Sequence, residues 1–268
     1  MDILQALVLG LVQGLTEFIP VSSTAHLRIV PLFLGWGDPG AAFSAVIQLG
    51  SLLAVFTYFA ADLWKLLLAA LASLQHRNLN HSPDARLAWS IAVGTLPISV
   101  LGLAFKHFIE HDARQLTLIA IALIALALLL LLAERLGRRT RAMEDLGFWQ
   151  IQIIGLCQAL ALIPGCSRSG STIMGGLFLG LRREEAARFS FLLGLPAIGA
   201  GGLLEFLELL KGGLGEAGFL SVGVGVVAAA ISSYLSIGFL LRFLLRHGTQ
   251  WFAYYRILLG LLMLFLIR

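Results

Sequence analysis

Apolar stretches close to twenty residues long recur along the chain, at residues 43–61, 87–105, 115–133, 189–210, 220–241 and 251–267. A helix of ~20 residues crosses the hydrocarbon core of a bilayer. Lipid gives an open strand edge no hydrogen-bond partner, so runs of this kind span as helices. Composition points the same way: 59% of the 268 residues are hydrophobic and 13% charged, against about a quarter charged in a soluble domain. The sequence predicts an all-α membrane protein with six transmembrane helices in one membrane domain over residues 1–268.

The net charge of +4 does not indicate nucleic acid. Most basic residues fall in short loops between spans, as positive-inside bias requires. Residues 135–141 carry four arginines, and they set the cytoplasmic side. Counting spans outward from them adds Lys65, Arg77, Arg86, Arg182, Arg183, Arg188, Arg242 and Arg246, so twelve basic residues face Lys106, Arg114, Lys211 and Arg268 opposite. Both termini are then outside. Arg28, Arg168 and Arg256 lie within apolar stretches and are left out of this count. Cys157 and Cys166 read as small buried residues, with no disulfide framework or zinc site. Met1-Asp2-Ile3 has no basic leader, so no cleaved signal peptide is expected.

Two further apolar stretches do not read as spans. Residues 3–34 are broken by Pro20-Val-Ser-Ser-Thr24, and residues 148–181 by Pro164-Gly-Cys-Ser-Arg-Ser169. Pro ends the first arm of each, and Ser or Thr caps the second. The expected form is a re-entrant helical hairpin whose turn lies near the bilayer midplane. Irregular backbone at that depth must be buried in protein or line a wet cavity. The breaks also match each other: Gly10, Gln13, Pro20 and Ser23 align with Gly155, Gln158, Pro164 and Ser167, and Phe43-Ser44 with Phe189-Ser190, at offsets of 144 to 146. An odd number of spans separates equivalent points, so the repeat is inverted in topology. Its halves cover about 1–110 and 148–245, with 251–267 as a last span. Inverted repeats with broken helices place their site where the breaks meet.

That site would draw Gln13, Glu17, Ser22, Ser23, Thr24 and His26 from the first half and Ser167, Arg168, Ser169, Ser171 and Thr172 from the second. An ionisable group at membrane depth costs ~2.5–3.5 kcal/mol on insertion scales, so it is rarely decorative. Helix N-termini, hydroxyls and an arginine fork make an anion site suited to phosphate. Each residue also has a structural reading. Glu17 and Arg168 could clamp the repeats as an ion pair, Ser23 could be a cap, His26 a packed imidazole, and Gln13 a bond within the hairpin. What favours chemistry is the cluster, since no structural role requires this many polar groups at both breaks. His76, His81, His107, His111 and His247 read as solvated loop residues. Gly175, Gly176 and residues 199–202 read as helix-packing positions. Arg256 receives no role.

Gln13-Gly-Leu-Thr-Glu17-Phe-Ile-Pro-Val-Ser-Ser-Thr-Ala-His26 and Pro164-Gly-Cys-Ser-Arg-Ser-Gly-Ser-Thr172 resemble the two signatures of the bacterial undecaprenyl-pyrophosphate phosphatases, integral membrane enzymes of the bacitracin-resistance type. The resemblance extends over essentially the whole chain. It implies hydrolysis of undecaprenyl pyrophosphate to undecaprenyl phosphate and inorganic phosphate. This recycles the lipid carrier for peptidoglycan synthesis and confers bacitracin resistance. It also implies a multi-pass protein of the bacterial inner membrane, with its site facing the periplasm or outer face, and a need for Mg²⁺ or Ca²⁺. Gln13 stands where many members have Glu, which weakens a two-carboxylate metal site formed with Glu17.

On this reading Arg168, with Ser167, Ser169, Thr172, Ser22 and Thr24, binds the phosphates and neutralises charge developing on the transferred phosphoryl group. Ser23 or His26 is the nucleophile or its general base. Glu17 either binds metal with Gln13 or orients His26. The partners implied are a polyprenyl pyrophosphate and membrane lipid, with no nucleic acid; pairing as a homodimer stays open. A transporter or flippase for lipid phosphates on the same repeat is the competing function, because fold does not fix function. A cluster of mixed sign disfavours an ion channel.

Overall fold

The computed structural model describes residues 2–105, 115–212 and 218–267. Lys106, His107, His111, Arg114 and Arg268 lie outside the described residues, and the Lys211 side chain is not described either. The regular elements among the described residues are all helices, apart from one isolated bridge between Arg141 and Leu181.

Helix α1 (Ile3–Glu17) starts at Asp2, whose carboxylate accepts from Gln5 N at 2.7 Å while Gln5 Oε1 accepts from Asp2 N at 3.2 Å. This reciprocal pair satisfies two of the amides that a helix start leaves open. There follow α2 (Ser23–Phe33), α3 (Gly40–Tyr58), α4 (Ala60–Gln75), α5 (Pro83–Gly94) and α6 (Leu96–Ala104). After residue 115 come α7 (Leu116–Leu136), α8 (Phe148–Ala159) with a 3₁₀ turn (Leu160–Leu162), and α9 (Arg168–Phe178). Helices α10 (Arg183–Gly212), α11 (Phe219–Arg246) and α12 (Gln250–Leu266) complete the chain.

Among the described residues, four segments are long and apolar enough to cross a membrane: Pro83–Ala104, Leu116–Leu136, Arg183–Leu204 and Phe219–Arg246. The expected span at 43–61 differs. It breaks at Phe59, where the chain bends by 80° into α4, a helix the apolar pattern did not predict. Charge enters the chain just past the bend, where Asp62 accepts from Arg188 at 2.6 Å and Lys65 pairs with Asp84 at 3.1 Å. The last expected span is the 17-residue α12. Several long apolar helices make this an integral membrane protein.

A helix–turn–helix pair stands at each Pro/Ser break, α1 with α2 and α8 with α9. Their second arms, α2 and α9, have 11 residues each. Ser22 caps α2 at φ 75° and Ser167 caps α9 at φ 64°. A non-glycine residue in a backbone conformation that side chains rarely adopt therefore occurs once in each turn, and the second turn adds Gly165 at φ 99°. The caps correct the sequence alignment by one residue: Ser167 corresponds to Ser22, and Ser23 to Arg168.

Glycines let the arms approach other helices closely. A Cβ on Gly10 would stand 2.3 Å from Gly225 O and one on Gly14 2.5 Å from Ala229 O, so α1 lies directly on α11. A Cβ on Gly155 would meet Gly94 O at 2.2 Å, which puts α8 on α5. Each hairpin's first arm thus packs on a long helix of the other half. Gly176 and Gly202 are packing positions as expected, whereas Gly201 has open space around it. Backbone contact without intervening side chains is how helices associate where water gives no drive.

The basic ends gather on one face. Buried Glu134, at the end of α7, accepts from Arg139 Nη1 at 2.7 Å, Arg183 Nε at 2.7 Å and Thr249 Oγ1 at 2.7 Å. It so ties the starts of α10 and α12 to the arginine-rich loop. Arg141 N donates to Gly180 O at 3.0 Å, which brings in the end of α9.

Candidate active site

The two turns meet beside Gln48 of α3 and Ser190 of α10. Glu17, the last residue of α1, is the hub. Its Oε2 accepts from Gln13 Nε2 at 2.8 Å and from Ser23 Oγ at 2.7 Å. Its Oε1 accepts from Arg168 Nη2 at 3.0 Å. Helical spacing places Gln13 one turn below the carboxylate, and the break brings Ser23 back over it. Arg168 arrives from the other half, as the first residue of α9. Its Nη1 donates to Ser190 O at 3.4 Å, and a Cβ on Gly194 would lie 1.7 Å from that nitrogen. Only glycine leaves the guanidinium room to cross α10 there.

Beside these groups lies a cavity of ≈ 170 Å³ lined by Glu17, Ser22, Ser23, Thr24, Gln48, Ser167 and Arg168, and further along by Ile98, Ala197 and Ile198. Ala197 and Ile198 lie beyond Ser190 along α10, so the lining steps away from the basic face. Glu17, Ser23, Ser22, Thr24, Ser167 and Arg168 thus share one space, as their types suggested.

The other expected residues stand behind it. Ser169 Oγ donates to Glu17 O at 3.2 Å, holding one turn against the other. Thr172 Oγ1 is 2.5 Å from Ser190 Oγ and donates to Arg168 O at 2.8 Å, bracing α9 on α10. Ser171 Oγ donates to Ser167 O at 2.9 Å. His26 is not joined to Ser23 or Glu17. Its Nδ1 is 2.8 Å from Ser22 O and its Nε2 2.7 Å from Tyr255 Oη. A carbonyl can only accept, so Nδ1 carries a proton, and Nε2 is taken up by the Tyr255 hydroxyl. The ring has no lone pair left for Ser23.

Sequence reading missed Gln48, Ser190, Gly194 and Tyr255. Gln48 had a signal, as a polar residue within an otherwise apolar run. Ser190 had one in the matched Phe-Ser pairs. Gly194 and Tyr255 had none, because their roles depend on which helix lies opposite.

A buried ion pair is by itself poor proof of chemistry, since desolvation offsets much of its attraction. This pair differs from a simple clamp in two respects. Arg168 and Glu17 border a cavity, and Glu17 also accepts from a serine hydroxyl at a helix start. A carboxylate holding a hydroxyl proton, a guanidinium fork and two helix N-termini around one space can activate an oxygen against an anionic phosphorus centre.

Comparison with known proteins agrees with that chemistry. The chain is 50% identical over 269 residues to the undecaprenyl-diphosphatase of Chlorobaculum tepidum, covering 97% of this chain and 95% of that one. It is 52% identical to the undecaprenyl-diphosphatase of Trichodesmium erythraeum, covering 98% and 86%. To that of Myxococcus xanthus it is 49% identical, covering 100% and 90%. The model of the family described as bacitracin resistance protein BacA matches residues 6–262, and with its two broken helices and the Glu17–Ser23–Arg168 site the chain belongs to this family.

Proposed function

We propose that the chain hydrolyses undecaprenyl diphosphate to undecaprenyl phosphate and inorganic phosphate, recycling the lipid carrier of cell-wall synthesis. The observation that carries this is Glu17 Oε2 accepting from Ser23 Oγ at 2.7 Å beside the guanidinium of Arg168. When the diphosphate enters, Arg168 binds its terminal phosphate as a fork, with the starts of α2 and α9 and the Ser22, Thr24 and Ser167 hydroxyls around it. Ser23 Oγ attacks the terminal phosphorus and its proton passes to Glu17. The bond to the bridging oxygen breaks, and Glu17 hands the proton to the departing lipid monophosphate. Water then attacks the phosphoserine, Glu17 takes its proton and returns it to Ser23 Oγ, and inorganic phosphate leaves. Arg168 and the helix N-termini offset charge on the phosphoryl oxygens in both steps.

Gln13 and Glu17 suit a hard divalent cation, Mg²⁺ or Ca²⁺. Gln13 Oε1 is fully buried without a hydrogen-bond partner among the described residues, and it belongs to the amide bonded to Glu17. An unpaired amide oxygen beside a carboxylate is the donor type these ions take, so Gln13 and Glu17 are the residues that would hold one. Among the described residues no cluster of three His, Cys, Asp or Glu would hold such an ion without substrate. When bound, the ion supplies charge neutralisation on the diphosphate.

The arms of the hairpins support a re-entrant arrangement. At ~1.5 Å per residue, the 15-residue α1 and the 11-residue α2 are each too short to cross a core of ~30 Å. With α3 and α12 counted beside the four continuous segments, this gives six spans around two re-entrant hairpins in an inverted repeat. The basic face is cytoplasmic by charge bias, which points the cavity to the outer side of a bacterial inner membrane. A reporter Thr140→Cys should be labelled only from the cytoplasm and Gly37→Cys only from outside; the reverse pattern would overturn the topology.

The deciding experiment is phosphate release from undecaprenyl or farnesyl diphosphate by detergent-purified protein, with and without chelator. Release without any membrane gradient, suppressed by chelator, is expected. Gradient-dependent uptake of lipid phosphate with no release would establish the transporter instead.

A further inference from the structure

Arg256 takes no part in the reaction just described, yet it is fully buried in α12. Its partners among the described residues are main-chain carbonyls, not a carboxylate. Nε donates to Leu123 O at 3.3 Å, Nη1 to Pro20 O at 3.2 Å, and Nη2 to Gly165 O at 3.0 Å and Cys166 O at 3.2 Å. Pro20 belongs to the first turn, Gly165 and Cys166 to the second, and Leu123 to the middle of α7. One planar group therefore holds both breaks against a spanning helix. A cation without counter-charge is a costly filler inside a membrane protein, and an apolar side chain would pack there more cheaply.

The bonds also have a direction. A trans peptide points its N–H opposite to its carbonyl. With Cys166 O turned to Arg256, the Ser167 N–H points away from it, and Gly165 and Ser167 line the cavity. The neighbourhood keeps space for the guanidinium: a Cβ on Gly170 would stand 2.9 Å from Arg256 Nη1. Arg256 is not among the residues lining the cavity, so it acts through the turns.

We infer that Arg256 is a positioning residue for the phosphate site. It pins the two turns to each other and aims the Ser167 N–H at the bound diphosphate, while the Val21 and Cys166 N–H groups close their own turns on Ile19 O and Ile163 O, an inference that rests on the reading of the cavity as a diphosphate site. A lysine retains the charge, but its three donors sit on one nitrogen and cannot span the four carbonyls that the planar guanidinium reaches from three nitrogens. A small displacement of a preorganised site costs up to ~10²-fold in rate.

The test compares wild type with Arg256→Lys, Arg256→Gln and Gly170→Ala on two readouts. The first is kcat and KM for farnesyl diphosphate, corrected for the folded fraction. The second is the distance distribution between spin labels at exposed Leu34 and Phe178, at the ends of α2 and α9, with Cys157 and Cys166 changed to serine in every sample. All three variants are expected to lower kcat by roughly 10–10²-fold with little change in KM, and to broaden a narrow wild-type distribution. Combined with Gly170→Ala, Arg256→Lys should add little further loss, because both act on the same contact. Wild-type kcat per folded molecule in Arg256→Lys and Arg256→Gln, or an unchanged distribution, would overturn the inference. If wild type itself releases no phosphate, the phosphatase reading fails, while the label distances still decide whether Arg256 pins the turns.

Discussion

Ser22 at φ 75° and Ser167 at φ 64° each cap an 11-residue helix, and each stands nine residues after a fully buried glutamine, Gln13 or Gln158. At one level, then, the two hairpins are the same backbone device. Their side chains have diverged into complementary halves. The first helical residue is Ser23 in one and Arg168 in the other. Glu17 has Leu162 as its counterpart, and the glutamines differ in consequence: Gln13 bonds Glu17, whereas both amide atoms of Gln158 lack a partner among the described residues. One hairpin supplies acid and hydroxyl, the other the cation. Neither is a site alone, and the repeat joins them by packing each first arm on the opposite half.

The largest expected effect follows from the paired first positions. Ser23→Ala should lower kcat by roughly 10⁴-fold or more if Ser23 is the nucleophile, since losing a nucleophile disables the remaining machinery. Rapid quenching of wild type should trap an acid-stable phosphoryl adduct that Ser23→Ala lacks. An acid-labile, base-stable adduct would identify phosphohistidine and remove Ser23 from the role. Its counterpart, Arg168→Ala, should cost about 10³-fold while the protein still inserts and purifies, and lysine should recover little of that. Near-normal turnover in Arg168→Ala would end the view that the second hairpin supplies the charge.

The same comparison shows what could be read from residues alone. Both breaks, their polar clusters and the repeat were legible, because Pro, Ser and charge inside apolar sequence have few structural explanations. Four of the six expected spans were legible from apolar length as continuous long helices, whereas the stretch at 43–61 bends by 80° at Phe59 and the last one forms only a 17-residue helix. The wiring of the site was not. Ser23 and His26 stand three residues apart on one helix, which suggested a pair, yet Ser23 reaches Glu17 across the turn and His26 reaches Tyr255 on another helix. Sequence spacing gives neighbours within a helix, whereas these partners are set by tertiary packing.

A smaller effect is expected at Gly194, whose counterpart in the first half is Gln48. Gln48 lines the cavity, while Gly194 leaves the path that Arg168 takes across α10. Gly194→Ala would put a methyl group 1.7 Å from Arg168 Nη1, so the guanidinium must shift. A fall of roughly 10–10²-fold in kcat/KM is expected, without loss of folding, because a misplaced fork still carries its charge. Gln48→Ala removes a lining amide and should cost less. A larger loss for Gln48→Ala than for Gly194→Ala would reverse this assignment and make Gln48 the more important contact.

The smallest effect should fall on His26, and here the two halves predict each other. Its counterpart is Ser171. Ser171 Oγ donates to the cap carbonyl Ser167 O at 2.9 Å, and His26 Nδ1 lies 2.8 Å from the cap carbonyl Ser22 O. Both side chains close the first turn of their helix on the residue four before. On this view the imidazole does in α2 what a hydroxyl does in α9, and the added contact to Tyr255 docks α2 on α12. His26→Ser supplies the same bond, so it should keep kcat within about tenfold, below the ~10²–10⁴-fold usual for a general base. Tyr255→Phe should be milder still, since it removes one hydrogen bond and leaves the His26–Ser22 bond in place. The pH profile separates the readings further. A catalytic imidazole would give kcat/KM an acid-side limb that disappears in His26→Ser. A His26 that only closes the turn leaves the shape of the profile unchanged in that variant. A loss near 10³-fold together with a vanished limb would make His26 the base for Ser23, and would require its ring to leave Tyr255 before each turnover.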